Sequence, residues 1–477
     1  MGFLKTVEKI LGIRPVEIGE LNRRSTLEVK RLRSKELPKD DLDGIITTSE
    51  YKLVVELLKG GVPIVFVTGS AGTGKSTLIR YLRNVLDKRL VVVAPTGVAA
   101  LNVNGVTIHS FFQFPPKIHE EEDIKFLYDR KLYQKLELLI IDEVSMVRGD
   151  IMDSIDKFLR KNRSNNSPFG GVQILLIGDL FQLPPVVPNH EWDVLKVKGY
   201  ASPYFFSSFS LQKTSLVPVE LTSVYRQEDR SFVDLLNQIR IGENLEFVTS
   251  EVNRRCSQRK DLNVDITLTC TNMRADQINQ QELKNLVTKE YSFKGKIVGK
   301  FSLGHDKLPS PFDLRLKKGA HVMFTQNSSL WVNGTIGIVR DIDPQMIRVE
   351  IVNDGMVCDV GLATWETYRY SYDSEKDRIV AIKVGHYTQY PLMLAWAITI
   401  HKSQGKSLEK VMVDLGSGAF TFGQVYVALS RCRSIEGISL LSPIRKTDVK
   451  CDPIIKRFYS AITEMVESKQ RSPSLHS

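Results

Sequence analysis

The sequence is poor in cysteine and has no long apolar run, and both shortages exclude classes of protein. Its cysteines are scattered, with no C-x-x-C pair, so neither a zinc site built on such pairs nor a disulfide framework is expected; they are Cys256, Cys270, Cys358, Cys432 and Cys451. No apolar segment approaches the roughly 20 residues of a membrane-spanning helix. The first residues include Glu8, Glu17 and Glu20, whereas transit peptides are poor in acidic residues. We therefore expect a cytoplasmic protein with reduced cysteines and no membrane contact.

The length and net charge of the chain indicate the number of domains and the kind of partner to expect. A chain of 477 residues is too long for one ordinary core, so two or more domains are expected. Lysine and arginine number 65 against 55 acidic residues, a formal net charge of +10. A basic balance of this size favours a polyanionic partner, although surplus lysine can also serve only the solubility of a surface.

The segment "IVFVTGSAGTGKSTLIRYLRNVL", from Ile64 to Leu86, has the pattern of a nucleotide-binding phosphate loop. A β-branched run precedes the glycine-rich turn and a helical pattern follows, which is the context that G-x-x-x-x-G-K-S requires. The glycines let backbone N–H groups surround phosphate oxygens, Lys75 can reach the β and γ phosphates, and Ser76 offers a hydroxyl to Mg²⁺. The predicted nucleotide contacts in the loop are Gly69, Ser70, Ala71, Gly72, Thr73, Gly74, Lys75, Ser76 and Thr77.

Three further apolar runs, "LVVVAP", "LELLIIDE" and "GVQILLIGD", alternate with helical or loop sequence. This alternation predicts an α/β fold with a parallel sheet, whose ligands lie at the carboxyl ends of the strands. Asp142 and Glu143 end one strand; in phosphate-loop enzymes the first carboxylate typically holds Mg²⁺ and the second can polarise the attacking water. Gln182 follows another strand on a loop stiffened by two prolines, where its amide can sense the γ phosphate.

Seven segments, in order and spacing between Ile45 and Pro443, resemble the Pif-type (petite integration frequency) DNA helicases of superfamily I, subgroup B. They are "GSAGTGKS", "APTGVAALNVNGVTIHSFF", "IIDEVSM", "PFGGVQILLIGDLFQLPPV", "LTSVYRQ", "AWAITIHKSQGKSL" and "YVALSRCR". The resemblance implies ATP and Mg²⁺ between two RecA-like lobes, with Gly405 at the nucleotide and with Arg226 and Arg431 reaching the phosphates from the second lobe. It also implies a set of DNA-binding residues: Thr96, Gly97, His109, Ser110, Thr399, His401 and Lys402.

The same resemblance suggests a domain organisation. We expect an N-terminal extension (1–44), a first lobe (45–203) with a wedge insertion at about 114–136, and a second lobe in two parts (204–290 and 386–445). Short alternating strands predict a small antiparallel β-barrel between those parts (291–385), and a C-terminal helix and tail complete the chain (446–477).

The expected function is ATP-dependent unwinding of forked or structured DNA by a monomer that moves 5′ to 3′ along a single strand, in the nucleoid of a bacterium. Roles in DNA repair, replication, recombination or telomere maintenance, with accessory proteins, are typical of the family. Three alternatives stay open: a single-strand translocase that unwinds little, a nucleotide-controlled switch, and an RNA track.

One departure from the family pattern concerns recognition of the nucleotide base. Family members usually have a glutamine that reads adenine before the phosphate loop, whereas this chain has Glu50 and Tyr51 there.

Overall fold

A computed structural model describes residues 46–227, 229–257, 264–301, 308–343 and 345–471 of the chain. The predicted N-terminal extension (1–44) and the end of the predicted tail (472–477) lie outside the described residues. Within the described part, none of the helices combines the length and the apolar character that crossing a membrane requires.

The first lobe is built on a six-stranded sheet in which neighbouring strands are parallel. Its strands are β1 (Ile64–Gly69), β2 (Leu90–Ala94), β3 (Val106–Thr107), β4 (Leu138–Ile141), β5 (Gln173–Ile177) and β6 (Leu216–Leu221), in the spatial order β3-β2-β4-β5-β1-β6. The helices are α1 (Ser49–Lys59), α2 (Lys75–Val85), α3 (Gly97–Asn102), α4 (Ile108–Phe112), α5 (Lys131–Lys135), α6 (Gly149–Arg163), α7 (Asn189–Val197) and α8 (Phe209–Gln212).

Strand β1 shows why this sheet forms. All of its residues are buried, as expected for a parallel strand that is covered on both faces. Alternate side chains enter different cores: Phe66 packs into the larger one, whereas Val65 and Val67 pack into a second core beneath α1 and α2. The buried run therefore holds the phosphate loop between two layers of helices.

The predicted boundary between the lobes at residue 203 is wrong. Strand β6 pairs in parallel with β1 over its whole length, from Ile64 beside Leu216 to Gly69 beside Leu221. The chain thus completes the first sheet before it enters the second lobe. The short apolar run of β6 has the same local pattern in either sheet, so only its long-range pairing could assign it.

The rest of the chain begins with α9 (Arg230–Ile241), α10 (Leu245–Cys256), β7 (Ile266–Thr269) and α11 (Asn272–Asn285). Strands β8 (Glu290–Lys294), β9 (Lys296–Gly299), β10 (Asp313–Lys317), β11 (His321–Phe324), β12 (Ile336–Asp343), β13 (Met346–Ile351), β14 (Val357–Val360), β15 (Ala363–Asp373), β16 (Arg378–Gln389) and β17 (Leu392–Leu394) follow. The last elements are β18 (Ala397–Thr399), β19 (Val411–Asp414), α12 (Gln424–Leu429), β20 (Ile438–Leu440) and α13 (Pro453–Arg471).

The second lobe has its own parallel sheet, in the order β18-β7-β19-β20. Between β7 and β18 the chain forms antiparallel strands in three sheets: β14-β13-β12-β11-β17, β15-β16-β9, and the pair β10-β8. The predicted α/β fold with two parallel-sheet lobes is confirmed. Closure of the inserted strands into a barrel stays a prediction.

The long hairpin β15–β16 reaches back to the first lobe. The ring of Tyr370 packs edge-on against Phe111, with the ring centroids 6.0 Å apart, and Arg89 bonds the hairpin's Asp377 at 3.2 Å. The predicted wedge segment lies beside this contact. Its Tyr133 is buried against α6, while Phe126 and Tyr128 are exposed. Its role in separating strands stays a prediction.

Candidate nucleotide cleft and nucleic-acid surface

The phosphate loop, residues 69–76, turns sharply between β1 and α2. Gly72 and Gly74 have φ values of 86° and 84°, a region that favours glycine. A side chain at either position would also collide, since a Cβ on Gly72 would lie 2.6 Å from the Cβ of Arg226 and one on Gly74 would lie 2.5 Å from the Tyr51 hydroxyl. Both glycines are therefore required by conformation and by space.

Lys75 lies at the first position of α2 and folds back over the loop. Its ammonium donates to the carbonyl oxygens of Gly69 and Ser70, at 2.9 Å each. Burial lowers the pKa of this ammonium, while the nearby carboxylates of Asp179 and Glu143 oppose that shift. The Thr73 hydroxyl donates to the same Ser70 carbonyl, at 2.9 Å. A phosphate group in the loop would replace these carbonyls as the partner of Lys75.

The two carboxylates after β4 differ in their surroundings. Asp142 is 6% exposed, and burial together with the charge of Glu143 raises its pKa to about 7. Burial also raises the pKa of Glu143, whose backbone has a φ of 48° and whose Oε2 atom has no hydrogen-bond partner. A buried carboxylate oxygen without a partner is costly in a folded protein. It fits a site that is completed by a water or an ion.

A polar network that the sequence analysis missed lies beneath the loop and joins the two lobes. Asp179, fully buried after β5, accepts from Arg240 at 3.1 Å and from the Tyr426 hydroxyl at 3.0 Å. The same hydroxyl accepts from the Ala71 N–H at 2.8 Å, and the amide of Gln182 donates to Asp179 at 3.3 Å. The sequence signal was present, since Asp179 and Tyr426 stand inside the quoted motifs.

Arg226 lies on the segment that follows β6, so the expectation that it reaches across from the second lobe is wrong. It packs against the phosphate loop, and the N–H of its neighbour Tyr225 donates to the Gly72 carbonyl at 2.9 Å. Its guanidinium donates to the Ser430 carbonyl of the second lobe at 3.3 Å. Arg226 therefore bridges the lobes from the side of the first one.

Arg431 follows α12, so it is an arginine that the second lobe contributes to the cleft. It is 1% exposed, and its guanidinium donates to Val427 O at 3.0 Å, to Ser403 O at 3.4 Å and to Ser430 Oγ at 2.9 Å. Burial, with the charge of Arg226 added, lowers its pKa to about 9. A cation held among neutral acceptors favours the arrival of an anion.

These elements enclose a cleft of about 640 Å³ between the lobes. Most of the predicted nucleotide residues line it: Ala71, Gly72, Gly74, Lys75, Ser76, Thr77, Glu143, Gln182, Arg226, Gly405 and Arg431. The residues that the sequence analysis did not assign to it are Ile46, Tyr51, Tyr225, Ser407 and Arg433. The structure thus brings most of the predicted phosphate-binding and charge-stabilising groups into one space, while Gly69, Ser70, Thr73 and Asp142 do not line it.

The candidate DNA residues of the first lobe lie at helix starts after β2 and β3. Thr96 caps α3, because its side-chain oxygen accepts from the Ala99 N–H at 3.2 Å, and Gly97 is the first residue of that helix. His109 and Ser110 lie in α4, where Ser110 is exposed and His109 is half-buried. All four follow the carboxyl ends of their strands, a position that the sequence predicted for Thr96 but not for His109 and Ser110, because the short strand β3 was not predicted.

The candidates of the second lobe lie at the last residue of β18 and in the tight turn that follows it. Thr399 is 3% exposed and its hydroxyl accepts from the Lys402 N–H at 3.2 Å, so it shapes the turn while Lys402 is exposed on it. Burial lowers the pKa of His401, which favours the neutral imidazole. A Cβ on Gly405 would lie 3.4 Å from the Asn102 amide nitrogen at the end of α3. The two sets of DNA candidates therefore lie on adjoining elements.

Comparison with known proteins agrees with this geometry. The family described as PIF1-like helicase matches residues 49–250, and a family described as Helicase matches residues 373–466. The human ATP-dependent DNA helicase PIF1 is 33% identical over 419 residues, which are 83% of this chain and 61% of the human protein. The chain thus spans less than two thirds of that relative's length.

Two crystal structures of Bacteroides Pif1 are similar over nearly the whole of their chains. The complex with ADP-AlF4 has a TM-score of 0.79 at 36% identity and covers 90% of this chain and 98% of the Bacteroides chain. The complex bound to ssDNA has a TM-score of 0.66 at 36% identity and covers 88% and 98% respectively. Fold, cleft and comparisons together show that the chain belongs to the PIF1-like helicase family.

Proposed function

We propose that this chain is an ATP-dependent DNA helicase that moves 5′ to 3′ along single-stranded DNA and unwinds duplex or structured DNA. One observation gives the proposal its main structural support. Arg431 donates to the carbonyl of Ser403, in the turn that presents Lys402 on one side and Gly405 to the nucleotide cleft on the other. Arg431, which would contact ATP, is thus hydrogen-bonded to the turn that would hold the DNA strand.

The nucleotide chemistry follows from the residues of the cleft. Ser76 and Asp142 would hold Mg²⁺, which neutralises charge on the β and γ phosphates when it is bound. Glu143, with its unpartnered oxygen, is placed to orient the attacking water. Arg226 and Arg431 would stabilise charge on the transferred phosphoryl group, for which a planar guanidinium is suited.

The cycle of grip and release follows from the two lobes. ATP bound in the cleft would stabilise the closed arrangement, in which the second lobe contacts the phosphate loop. Hydrolysis and release of the γ phosphate would remove that stabilisation and let the lobes reopen. Exposed groups on both lobes, such as Ser110 and Lys402, would contact the phosphates of the strand. The polarity of movement is typical of the family. Action as a monomer in the bacterial nucleoid, beside repair or replication proteins, is a further part of the same proposal.

The test is unwinding of matched duplexes with a 5′ or a 3′ single-stranded tail, together with ATP hydrolysis with and without single-stranded DNA. We expect strong stimulation by DNA and unwinding of the 5′-tailed duplex only. Lys75→Ala is the control, because it removes the phosphate contact without touching a core. Stimulated hydrolysis without unwinding would indicate the translocase, and hydrolysis indifferent to DNA would contradict both activities.

A further inference from the structure

Gln227 follows Arg226 on the segment after β6, and its side chain contacts the backbone around Arg431. The residue is 6% exposed. Its amide nitrogen donates to the Ser430 carbonyl at 3.2 Å and to the Cys432 carbonyl at 3.1 Å. These carbonyls belong to the residues directly before and after Arg431. One side chain, on the segment that packs against the phosphate loop, thus holds the backbone on both sides of an arginine of the second lobe.

The orientation of this amide is fixed by its partners. A carbonyl oxygen can only accept a hydrogen bond, so both partners require the NH₂ end of the amide. The amide oxygen of Gln227 is therefore turned toward the phosphate loop, where it lies 3.3 Å from the position that a Cβ on Gly72 would take. Tyr225, two residues earlier, donates its N–H to the Gly72 carbonyl at 2.9 Å. The short segment from Tyr225 to Gln227 therefore connects Gly72 with the backbone around Arg431.

Arg431 is oriented within its own lobe by other hydrogen bonds. Its guanidinium donates to three oxygen atoms of the second lobe, and its carbonyl accepts from the Leu408 N–H at 3.0 Å. All of these partners belong to the second lobe. They fix the direction of the guanidinium in that lobe but not its distance from the phosphate loop. The bonds from Gln227 supply a constraint on that distance.

Arg226 also donates to the Ser430 carbonyl, at 3.3 Å, but its side chain has a different situation. The Arg226 guanidinium lines the nucleotide cleft, where a bound phosphate would attract it. Gln227 is uncharged and is not among the residues that line this cleft. Its bonds to the two carbonyls can therefore persist while ATP reacts.

We propose that Gln227 is a positioning residue for ATP hydrolysis, which holds Arg431 at the distance from the phosphate loop at which the guanidinium meets the γ phosphate in the transition state. The inference deepens the proposed function and rests on it. Its physical basis is the steep dependence of catalysis on placement, since a displacement of about 1 Å can cost 10²-fold in rate. Because Gln227 acts through Arg431, it should affect the reacting state and not the binding of nucleotide.

The first experiment compares Gln227→Met with the wild type in DNA-stimulated ATP hydrolysis. Methionine has a similar length but donates no hydrogen bond. We expect kcat to fall by about 10²-fold, the typical cost of a misplaced group, while KM changes by no more than about threefold. A kcat within about threefold of the wild type, or a loss that appears in KM instead of kcat, would overturn the inference.

Gln389→Met is the matched control. Gln389 is 1% exposed, and its amide also donates to backbone carbonyls, those of Phe293 at 2.8 Å and Pro311 at 3.2 Å, but among the inserted strands. A purely structural loss of buried amide bonds should therefore affect both variants alike. We expect ordinary hydrolysis in Gln389→Met. An equal fall of kcat in the two variants would attribute the effect to destabilisation and contradict the inference.

Gln227→Asn provides a second variant if Gln227→Met does not fold. Asparagine keeps both N–H donors, but its side chain is one methylene shorter, so it cannot hold the two carbonyls in the same place. We expect the same pattern, a lower kcat with little change in KM. Hydrolysis at the wild-type rate in Gln227→Asn would overturn the inference.

Release of a fluorescent nucleotide tests the same point without turnover. The protein is loaded with ribose-labelled mant-ADP, with or without aluminium fluoride, and chased with ADP. Aluminium fluoride mimics the transferred phosphoryl group and should slow release from the wild type by about 10²-fold or more. In Gln227→Met, release of mant-ADP alone should be unchanged, while most of this slowing should disappear.

The outcomes of this chase separate the inference from the proposed function. Equal slowing by aluminium fluoride in Gln227→Met and the wild type would overturn the inference alone. A wild type whose release is not slowed at all would contradict the proposed hydrolysis, and the role of Gln227 with it.

The double variant that combines Gln227→Met with Arg431→Ala decides whether Gln227 acts through Arg431. Residues that act as a unit have effects that do not add. In single-turnover hydrolysis, which resolves slow rates, we expect the double variant to react at the rate of Arg431→Ala. A further fall of about 10²-fold would show that Gln227 acts independently of Arg431 and would overturn the inference.

Discussion

The Tyr426 hydroxyl of the second lobe accepts a hydrogen bond from the Ala71 N–H of the phosphate loop, at 2.8 Å. It donates in turn to Asp179, which also holds Arg240 and the amide of Gln182. All of these groups are buried, where each hydrogen bond is electrostatically stronger than in water. A movement of the phosphate loop would therefore displace Tyr426 and with it α12. Arg431 follows two residues after the end of that helix.

Tyr426→Phe tests this connection between the lobes. The change removes one hydroxyl, so the Ala71 N–H loses its partner and Asp179 loses one of its hydrogen bonds, with a net cost of about 1 kcal/mol for each bond. If the contact helps to assemble the closed cleft, DNA-stimulated kcat should fall roughly tenfold. The measurement is ATP hydrolysis at saturating single-stranded DNA.

Tyr200→Phe is the matched control for that variant. Its hydroxyl also donates to a buried carboxylate, that of Asp153 at 2.8 Å, but within the first lobe and away from the cleft. We expect a similar small loss of stability and ordinary hydrolysis. If both variants lose hydrolysis equally, the effect comes from general destabilisation and the connection is not supported.

Lys406→Met should stabilise the protein near neutral pH. Lys406 is half-buried, its ammonium contacts Asn333 of the inserted strands, and burial lowers its pKa to about 8. Above pH 8 the unfolded chain binds more protons at this lysine than the folded one, so wild-type stability rises with pH until the unfolded lysine also deprotonates. Below pH 8 the lysine is charged in both the folded and the unfolded state, so the folded protein bears the full free-energy cost of burying that charge.

The gain in the free energy of unfolding of Lys406→Met should be on the order of 1 kcal/mol at pH 7 and should shrink toward about pH 10. Urea unfolding across this range measures it. Lys410→Met, which alters an exposed lysine of the same lobe, should show no such trend. A gain that is the same at pH 7 and pH 10 would mean that the charge of Lys406 is not the cause.

The parts that could be predicted from the sequence are those specified locally. The strand, loop and helix around Lys75 depend on a buried run, glycines with positive φ and a helical repeat, all within 23 consecutive residues. The carboxylates after β4 and Gln182 after β5 were located for the same reason, because a parallel strand delivers its next residue to the ligand edge of the sheet.

The parts that failed depend on which distant segments meet. β6 has the composition of any buried strand, and its place beside β1 is decided by pairing with a segment about 150 residues earlier. The role of Tyr426 is decided by Ala71 and Asp179, which are remote from it in sequence. Arg226 was assigned to the wrong lobe because its motif follows β6, so one misplaced strand moved the residue with it.

Lys402→Ala should weaken binding to single-stranded DNA by a similar factor for all sequences. Lys402 is exposed on its turn, and the ammonium group of a lysine in such a place would contact phosphates, which carry no sequence information. The slope of log K against log salt should fall by roughly 0.7 for the lost contact. Fluorescence anisotropy of labelled oligonucleotides at several salt concentrations measures it. Lys410→Ala removes an equal charge elsewhere on the lobe, and a slope that falls equally in both variants would contradict a specific contact.

Arg431→Ala should separate nucleotide binding from hydrolysis. Because the guanidinium is bonded to Ser403 and faces the cleft from the second lobe, its main effect is expected in the closed, reacting state. A missing arginine of this kind typically costs about 10³ or more in rate. We therefore expect DNA-stimulated hydrolysis and unwinding to disappear together, while single-strand affinity and much of the nucleotide affinity remain.

Arg431→Lys decides whether charge alone is sufficient. Arg431 makes three hydrogen bonds in different directions, to Val427, Ser403 and Ser430, and a lysine ammonium cannot reproduce that planar arrangement. Rescue of hydrolysis should therefore be poor, and Arg254→Ala, which removes an exposed arginine paired with Glu251, should behave like the wild type. Nucleotide titrations, DNA titrations and stimulated ATP hydrolysis are measured on the same preparations. Near-normal stimulated hydrolysis in Arg431→Ala would show that the second lobe does not complete the reaction centre, and the link through Ser403 between strand and nucleotide would then have no catalytic consequence.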